Sequence, residues 1–68
     1  MKLSARNQLA GKVVEIKEGA VNATVKIEIA KDIVISSTIS LDAVKELCLT
    51  VGSDATAVIK ATSVMVMS

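Results

Sequence analysis

Hydrophobic and polar residues alternate most regularly in the segment VNATVKIEI, from Val21 to Ile29. A period of two is typical of a strand in an antiparallel sheet that buries one of its faces. The apolar face would comprise Val21, Ala23, Val25, Ile27 and Ile29. The preceding segment, GKVVEIKEG, has the composition of another strand and stops at Glu18 and Gly19, which suit a tight connection. We therefore expect the two segments to pair as a hairpin.

A third strand and a short helix are predicted next along the chain. After a polar turn at 30–32, the segment IVISSTIS resumes the alternation from Ile33 to Ser40. In SLDAVKELCLTVG the apolar residues recur at helical spacing, Ser40 has a side chain suited to a helix N-cap, and Asp42 falls in the first turn. A helix of about two turns therefore follows the third strand.

The rest of the sequence predicts a loop and two more strands. The loop covers 50–54, where Gly52 can adopt a positive φ. The segment ATAVIKA, 55–61, indicates a fourth strand, and the almost uniformly apolar SVMVM, 63–67, indicates a fifth. This order predicts an all-β chain with one short helix, a five-stranded OB-like Greek-key barrel. Because the last strand lacks polar alternation, we expect the barrel to cover one of its faces and a neighbouring subunit to cover the other.

The length and composition predict a single domain, 1–68, that assembles with copies of itself. A chain of 68 residues is small for an independent core, and its usual supports are disulfides, a structural metal or oligomerisation. Cys48 is the single cysteine and histidine is absent, so oligomerisation remains. The lone cysteine and the absence of an apolar signal or membrane segment favour a reducing cytoplasm and no membrane partner.

The residue types also limit the chemistry. Without histidine, the nucleophilic side chains lack their usual base, and the acidic residues are scattered singly, so we expect a protein that is not an enzyme. OB-like barrels that bind single-stranded nucleic acid stack bases on aromatic side chains along a basic groove. Here the net charge is only +1 and aromatic residues are absent. Nucleic-acid binding therefore stays a less favoured alternative, and a module that docks its apolar C-terminal strand on another protein is a third.

Hydrogen-bond donors gather near both ends of the chain. They are Ser4, Arg6 and Asn7 in SARNQLAGKV, and Lys60, Thr62 and Ser63 in VIKATSVM. Neither group contains an acid, and a tetrahedral dianion prefers such a set because each of its oxygens accepts several hydrogen bonds. These types are also ordinary in loops and on solvated strand faces, so the pattern alone leaves both interpretations open.

Together with EGAVNA, those two segments closely resemble the molbindins, small Mop proteins that consist of one molybdate- and tungstate-binding domain. The resemblance covers Leu3 to Met67, and its three motifs occur in the same order and at the family's spacing. It implies an OB-like barrel, a homohexamer arranged as a trimer of dimers, and molybdate or tungstate held as a free oxyanion, without direct protein ligands to the metal. It also implies intracellular molybdenum storage without chemical conversion.

The resemblance further implies particular site residues. One wall of an oxyanion site would comprise Ser4, Ala5, Arg6 and Asn7, and the other would comprise Lys60, Ala61, Thr62 and Ser63, together with Ser40. We expect the two walls to come from different subunits. A second site would use the backbone of Gly19, Ala20, Val21 and Asn22. The chain departs from the family pattern at Ala43, where related domains carry a hydroxyl residue. Some members are described as molybdopterin-binding, but this chain has no aromatic side chain to stack on a pterin, so the pterin is the less favoured ligand.

Overall fold

The computed structural model describes residues 6–68, which form a curled antiparallel sheet with one short helix. The elements are β1 (Asn7–Glu18), β2 (Asn22–Ala30), β3 (Ile33–Ser40), α1 (Leu41–Glu46), β4 (Asp54–Ile59) and a 3-10 turn (Ala61–Ser63). The strand order is β3-β2-β1-β4, so β3 and β4 are the edges. The predicted fold class, all-β with one short helix, is confirmed.

The longest strand, β1, is shared between two partners. Its first half pairs with β4, from Asn7 opposite Ile59 to Lys12 opposite Asp54, and its second half pairs with β2. Gly11 lies where the pairing changes, and a Cβ atom there would overlap the carbonyl oxygen of Glu28 on β2. Only glycine permits this close approach of two backbones.

The core lies on one face of the curled sheet and is closed by the helix. Its buried members are Val13, Ala23, Val25, Ile27, Val44 and Ala57. Three of them come from the alternating segment of β2, which pairs with β1 as the predicted hairpin. Val21, predicted on the same face, is instead 71% exposed because β2 begins one residue later.

The short helix has the predicted start. The Ala43 N–H donates to the Ser40 hydroxyl oxygen at 3.0 Å, which confirms Ser40 as the N-cap. At the other end, the Leu49 N–H donates to the Val44 carbonyl, and Cys48 adopts a φ of 54°. This is the Schellman arrangement, in which a left-handed residue ends a helix. Within residues 6–68, no helix is both long enough and apolar enough to cross a membrane.

The expected fifth strand is not formed by the described chain, which has four strands. The segment after β4 turns at Lys60, whose carbonyl accepts the Ser63 N–H at 2.9 Å, and β4 ends at Ile59. Residues 64–67 then extend into solvent, where Met65 is 94% exposed. The apolar pattern of this segment was interpreted as a strand, but a strand needs a pairing partner, and none of the strands in residues 6–68 lies alongside it.

Candidate oxyanion-binding site

Pairing between β1 and β4 brings the two predicted donor groups together. Asn7 lies opposite Ile59, and its side-chain Nδ2 donates to the Ile59 carbonyl oxygen at 3.2 Å. By this register, Arg6 precedes β1 and Lys60 follows β4 at the same end of the ladder. Within one chain, therefore, Arg6 and Lys60 lie at the same end of the sheet. The contribution of the two walls by different subunits stays a prediction. The predicted residues Ser4 and Ala5 lie outside the described residues.

The turn after β4 presents several kinds of donor to solvent. Residues 60–63 are all exposed, and the turn is closed by the Val64 N–H, which donates to the Ala61 carbonyl at 3.2 Å. The N–H groups of Ala61 and Thr62 donate to no acceptor among residues 6–68. Such free N–H groups are typical of a first helical turn. The turn therefore presents backbone donors beside the hydroxyls of Thr62 and Ser63 and the ammonium of Lys60.

The electrostatics of this end favour an anion. The sequence contains no Asp or Glu in 1–14 or 55–68, so Arg6 and Lys60 have no acidic neighbour along the chain. The nearest acid on β4 is Asp54 at its opposite end, where the Lys12 ammonium donates to it at 2.7 Å. That hydrogen bond and the attraction of the Lys12 charge lower the pKa of the Asp54 carboxyl. In the part of the chain that the structure describes, no cluster of three or more Cys, Asp and Glu side chains could hold a metal cation.

The second predicted site is the tight turn between β1 and β2. The Gly19 N–H donates to the Asn22 carbonyl at 2.7 Å, and the Leu41 N–H donates to the Val21 carbonyl at 3.0 Å. The N–H groups of Ala20 and Val21 have no acceptor within residues 6–68. A shallow depression of about 240 Å³ lies here, and Lys17, Glu18 and Thr24 line it together with residues of the turn. Sequence reasoning missed Lys17 and Thr24, whose only signal was their proximity to the turn.

Ser40 lies next to this second turn. Its position in the β2–β3 ladder is opposite Asn22, so register groups it with 19–22. Its hydroxyl oxygen caps the helix by accepting the Ala43 N–H, and its O–H proton remains able to donate. In one chain, therefore, the register associates Ser40 with the second predicted site, although the sequence interpretation grouped it with Lys60.

A second, more apolar cavity has a different chemical character. It is a cleft of about 530 Å³ between the two edge strands, lined mainly by aliphatic side chains that include Ile35, Ile39 and Ile59. A dianion loses its hydration in such a place without gaining hydrogen bonds. The two donor groups at the strand ends, and not this cleft, are therefore the candidate oxyanion sites.

Comparison with known proteins places this arrangement in a family. The family model that matches is the TOBE domain, over residues 3–66. The chain belongs to the TOBE domain family. A probable molybdenum-pterin-binding protein of Haemophilus influenzae is 67% identical over 66 residues, which cover 97% of this chain and 96% of that protein.

Solved structures of similar proteins have the same fold. The molybdate-binding protein from Sporomusa ovata is 37% identical, with a TM-score of 0.93 over 100% of both chains. MopII from Clostridium pasteurianum, in an apo form, is 52% identical, with a TM-score of 0.89 over 98% of this chain and 100% of that one. These matches confirm the resemblance to the Mop proteins and the OB-like fold class.

Proposed function

We propose that this TOBE-domain protein binds molybdate as a free oxyanion. The observation that carries the proposal is the β1–β4 pairing, which brings Arg6 and Asn7 to the same end as the Lys60–Ser63 turn. Two cations, an amide, two hydroxyls and free backbone N–H groups then lie at one end of the β1–β4 ladder, on segments that contain no Asp or Glu. The molybdate-binding relative from Sporomusa ovata has the same fold.

The charged and the neutral donors make different contributions to oxyanion binding. Arg6 and Lys60 supply positive charge that offsets the cost of removing water from a dianion. The hydroxyls of Thr62 and Ser63, and the N–H groups of Ala61 and Thr62, supply directed hydrogen bonds to individual oxygens. Ser4 and Ala5 complete this wall in the proposal. Binding involves no chemical conversion, so the protein acts as a carrier or store and not as an enzyme.

The proposal extends to a second site, an assembly and a cellular role. The backbone of 19–22, beside the Ser40 hydroxyl, binds a further oxyanion through neutral donors. Sites are completed between subunits of a homohexamer arranged as a trimer of dimers, which gives several sites per assembly. Tungstate binds as well, because it has the same charge and shape as molybdate and nearly the same size. The role is cytoplasmic storage of molybdenum, in keeping with the single free thiol of Cys48.

Calorimetric titration with molybdate, tungstate, sulfate and phosphate tests the proposal, alongside a mass measurement of the assembly. We expect heat with molybdate and tungstate and much weaker binding of sulfate, because sulfate is smaller than molybdate and would reach fewer of the donors in a site sized for molybdate. Absence of heat with molybdate, or equal affinity for sulfate, would refute molybdate storage. A hexameric mass supports the assembly, and a monomer that binds molybdate would restrict the proposal to single-chain sites.

A further inference from the structure

A row of polar side chains crosses three strands beside the depression at the 19–22 turn. Lys17 on β1 pairs with Thr24 on β2, and Thr24 pairs with Thr38 on β3. Residues that pair directly across neighbouring strands project from the same face of the sheet, with Cβ atoms about 5 Å apart. Lys17 and Thr24 also line the depression. An ammonium and two hydroxyls therefore lie side by side on one face of the sheet.

This face is the one opposite the core. Ala23 and Val25, the neighbours of Thr24 along β2, are only 2% and 1% exposed. Successive side chains of a strand alternate between the two faces, so Thr24 projects away from the core together with its partners. Lys17 and Thr38 are exposed to solvent, and Thr24 is half-buried. We call Lys17, Thr24 and Thr38 the outer row.

The outer row adjoins the donors of the turn. Asn22 pairs with Ser40, and this pair lies two positions nearer the turn than the pair of Thr24 with Thr38. A separation of two residues keeps the side chains on the same face of a strand. The amide of Asn22 and the hydroxyl of Ser40 therefore lie between the outer row and the backbone N–H groups of Ala20 and Val21.

Lys17 is the cation whose charge is available to a ligand on this face. Lys26, on the same face, pairs with Glu15 and lies 3.7 Å from its carboxylate. Within residues 6–68, Lys17 takes part in no such ion pair. Glu18 pairs with Ala23 and therefore belongs to the core face, although it borders the depression. The positive charge and the nearest unpaired acid are thus separated by the sheet.

We infer that the outer row is part of the second oxyanion site, with Lys17 supplying charge and the two threonines supplying hydrogen bonds to a tetrahedral dianion. The donors of the turn are neutral, and they offset less of the cost of removing water from a dianion than a cation does. With Lys17 beside them, affinity at this site depends on charge and falls as the salt concentration rises. This inference rests on the proposed function and deepens it, because it names the side chains that select a dianion at the second turn.

An NMR titration with molybdate tests the role of Lys17 at this site. The amide signals of Ala20 and Val21 report on the second site, and those of Ala61 and Thr62 report on the first. In Lys17→Met, we expect the molybdate concentration at half-shift to rise about tenfold at the second site, as for loss of a charge-assisted hydrogen bond. It should stay unchanged at the first site. The salt dependence at the second site should also become weaker than in the unsubstituted chain.

Lys26→Met is the matched control, because it removes an equal charge from the same face but Lys26 does not line the depression. We expect it to leave both sites unchanged. Lys17→Arg keeps the charge and should retain most of the affinity at the second site. Thr24→Val keeps the shape of the side chain but removes its hydroxyl, so it should weaken that site severalfold while the first site stays the same.

The outcomes separate this inference from the proposed function. If molybdate shifts the signals of Ala61 and Thr62 but not those of Ala20 and Val21, the outer row binds no oxyanion and the first site stands. An equal half-shift concentration in Lys17→Met and the unsubstituted chain also overturns the inference. Equal weakening by Lys17→Met and Lys26→Met would mean that net charge, and not the outer row, is responsible. If neither pair of signals shifts, molybdate binding itself is refuted.

Discussion

The two ends of β1 present donors in contrasting ways. At the Asn7 end, the donors come from segments far apart in sequence, as the bond from Asn7 to Ile59, 52 positions away, illustrates. At the Glu18 end, the donors belong to one tight turn, 19–22, held by the bond between Gly19 and Asn22. The segments that supply the first donors, 6–7 and 60–63, contain two cations and no acid, whereas Lys17 and Glu18 together line the second depression. Charge and tertiary pairing thus make the first site, and local backbone geometry makes the second.

The largest expected effect comes from a substitution that disturbs both ends. Gly11→Ala adds a Cβ where β1 changes partner, against the backbone carbonyl of Glu28, which cannot rotate away as a side chain can. We expect the free energy of unfolding to fall by about 3 kcal/mol, as for other overpacked positions. Urea denaturation measures this change, and Ala10→Ser, at an exposed neighbouring position, is the control. An unchanged urea midpoint for Gly11→Ala would show that β1 and β2 can separate at little cost.

The next effect should be confined to the Asn7 end. Arg6→Ala or Lys60→Ala removes a charge-assisted hydrogen bond, so each should weaken molybdate binding by about 1.5–3 kcal/mol, or roughly 10- to 150-fold. Calorimetric titration measures the affinity. Lys31→Ala, in the turn between β2 and β3, is the control for loss of positive charge alone. If both variants bind as tightly as the unsubstituted chain, the donor cluster at this end is not the site.

Ser40 allows stability and binding at the second end to be separated. Ser40→Ala removes the N-cap of α1 and should lower the free energy of unfolding by about 1 kcal/mol. Ser40→Asp keeps a capping oxygen and should retain most of the stability, but its charge repels an oxyanion beside the 19–22 turn. Urea denaturation and calorimetric titration of both variants measure the two effects. If the Ser40→Asp variant binds as many oxyanions as the unsubstituted chain, and as tightly, then Ser40 is not part of the second site.

The same contrast explains how much could be predicted from the sequence. Local patterns succeeded: the alternation of β2, the bounds of β3 and the cap at Ser40 depend on residues a few positions apart. The start of β1 was predicted too late, because polar Asn7 joins the strand through pairing with β4 far along the chain. The prediction of a fifth strand was wrong for the single chain. Apolar residues indicate burial, but they do not indicate which surface covers them.

The candidate site, too, could be predicted from the sequence only in part. The residue types of the two donor groups indicated an anion, and family resemblance named the anion as molybdate or tungstate. The position of both donor groups at the same end of the sheet could not be predicted from their spacing in the sequence, because it depends on the β1–β4 register. Ser40 was grouped with Lys60 by resemblance, whereas the β2–β3 ladder places it beside Asn22. Long-range pairing, and not residue type, decides which donors share an end of the sheet.

A smaller effect concerns the helix that follows Ser40. Cys48 has a φ of 54°, a left-handed conformation that is costly for residues with a Cβ. Cys48→Gly removes that cost but increases the entropy of the unfolded chain, so we expect a net gain of about 0.5–1 kcal/mol in the free energy of unfolding. Cys48→Ala keeps the Cβ and should gain little. Urea denaturation midpoints of the two variants measure this difference. Equal stability of the two variants would mean that the left-handed conformation at Cys48 costs little.

The smallest expected effect lies where β1 passes from one partner to the other. Lys12 pairs in register with Asp54, and its ammonium lowers the pKa of that carboxyl. Because the folded pKa is lowered, this contact stabilises the fold above the unfolded carboxyl's pKa and is lost as the pH falls through the folded value. Lys12→Met should therefore raise the Asp54 pKa toward its ordinary value and reduce the dependence of stability on pH in the acid range. At neutral pH the change should be slight, because both side chains are exposed to solvent.

A titration of the carboxyl carbon of Asp54 by NMR measures this shift directly. Lys26→Met is the matched control, because Lys26 on β2 contacts Glu15 at 3.7 Å, whereas Asp54 is paired with Lys12. The pKa of Asp54 should rise in Lys12→Met and stay unchanged in Lys26→Met. If it stays low in both variants, the Lys12 contact is not its cause. A rise without weaker molybdate binding would also show that this charge pair is independent of the donors at the Asn7 end, since Asp54 and Ile59 lie at opposite ends of β4.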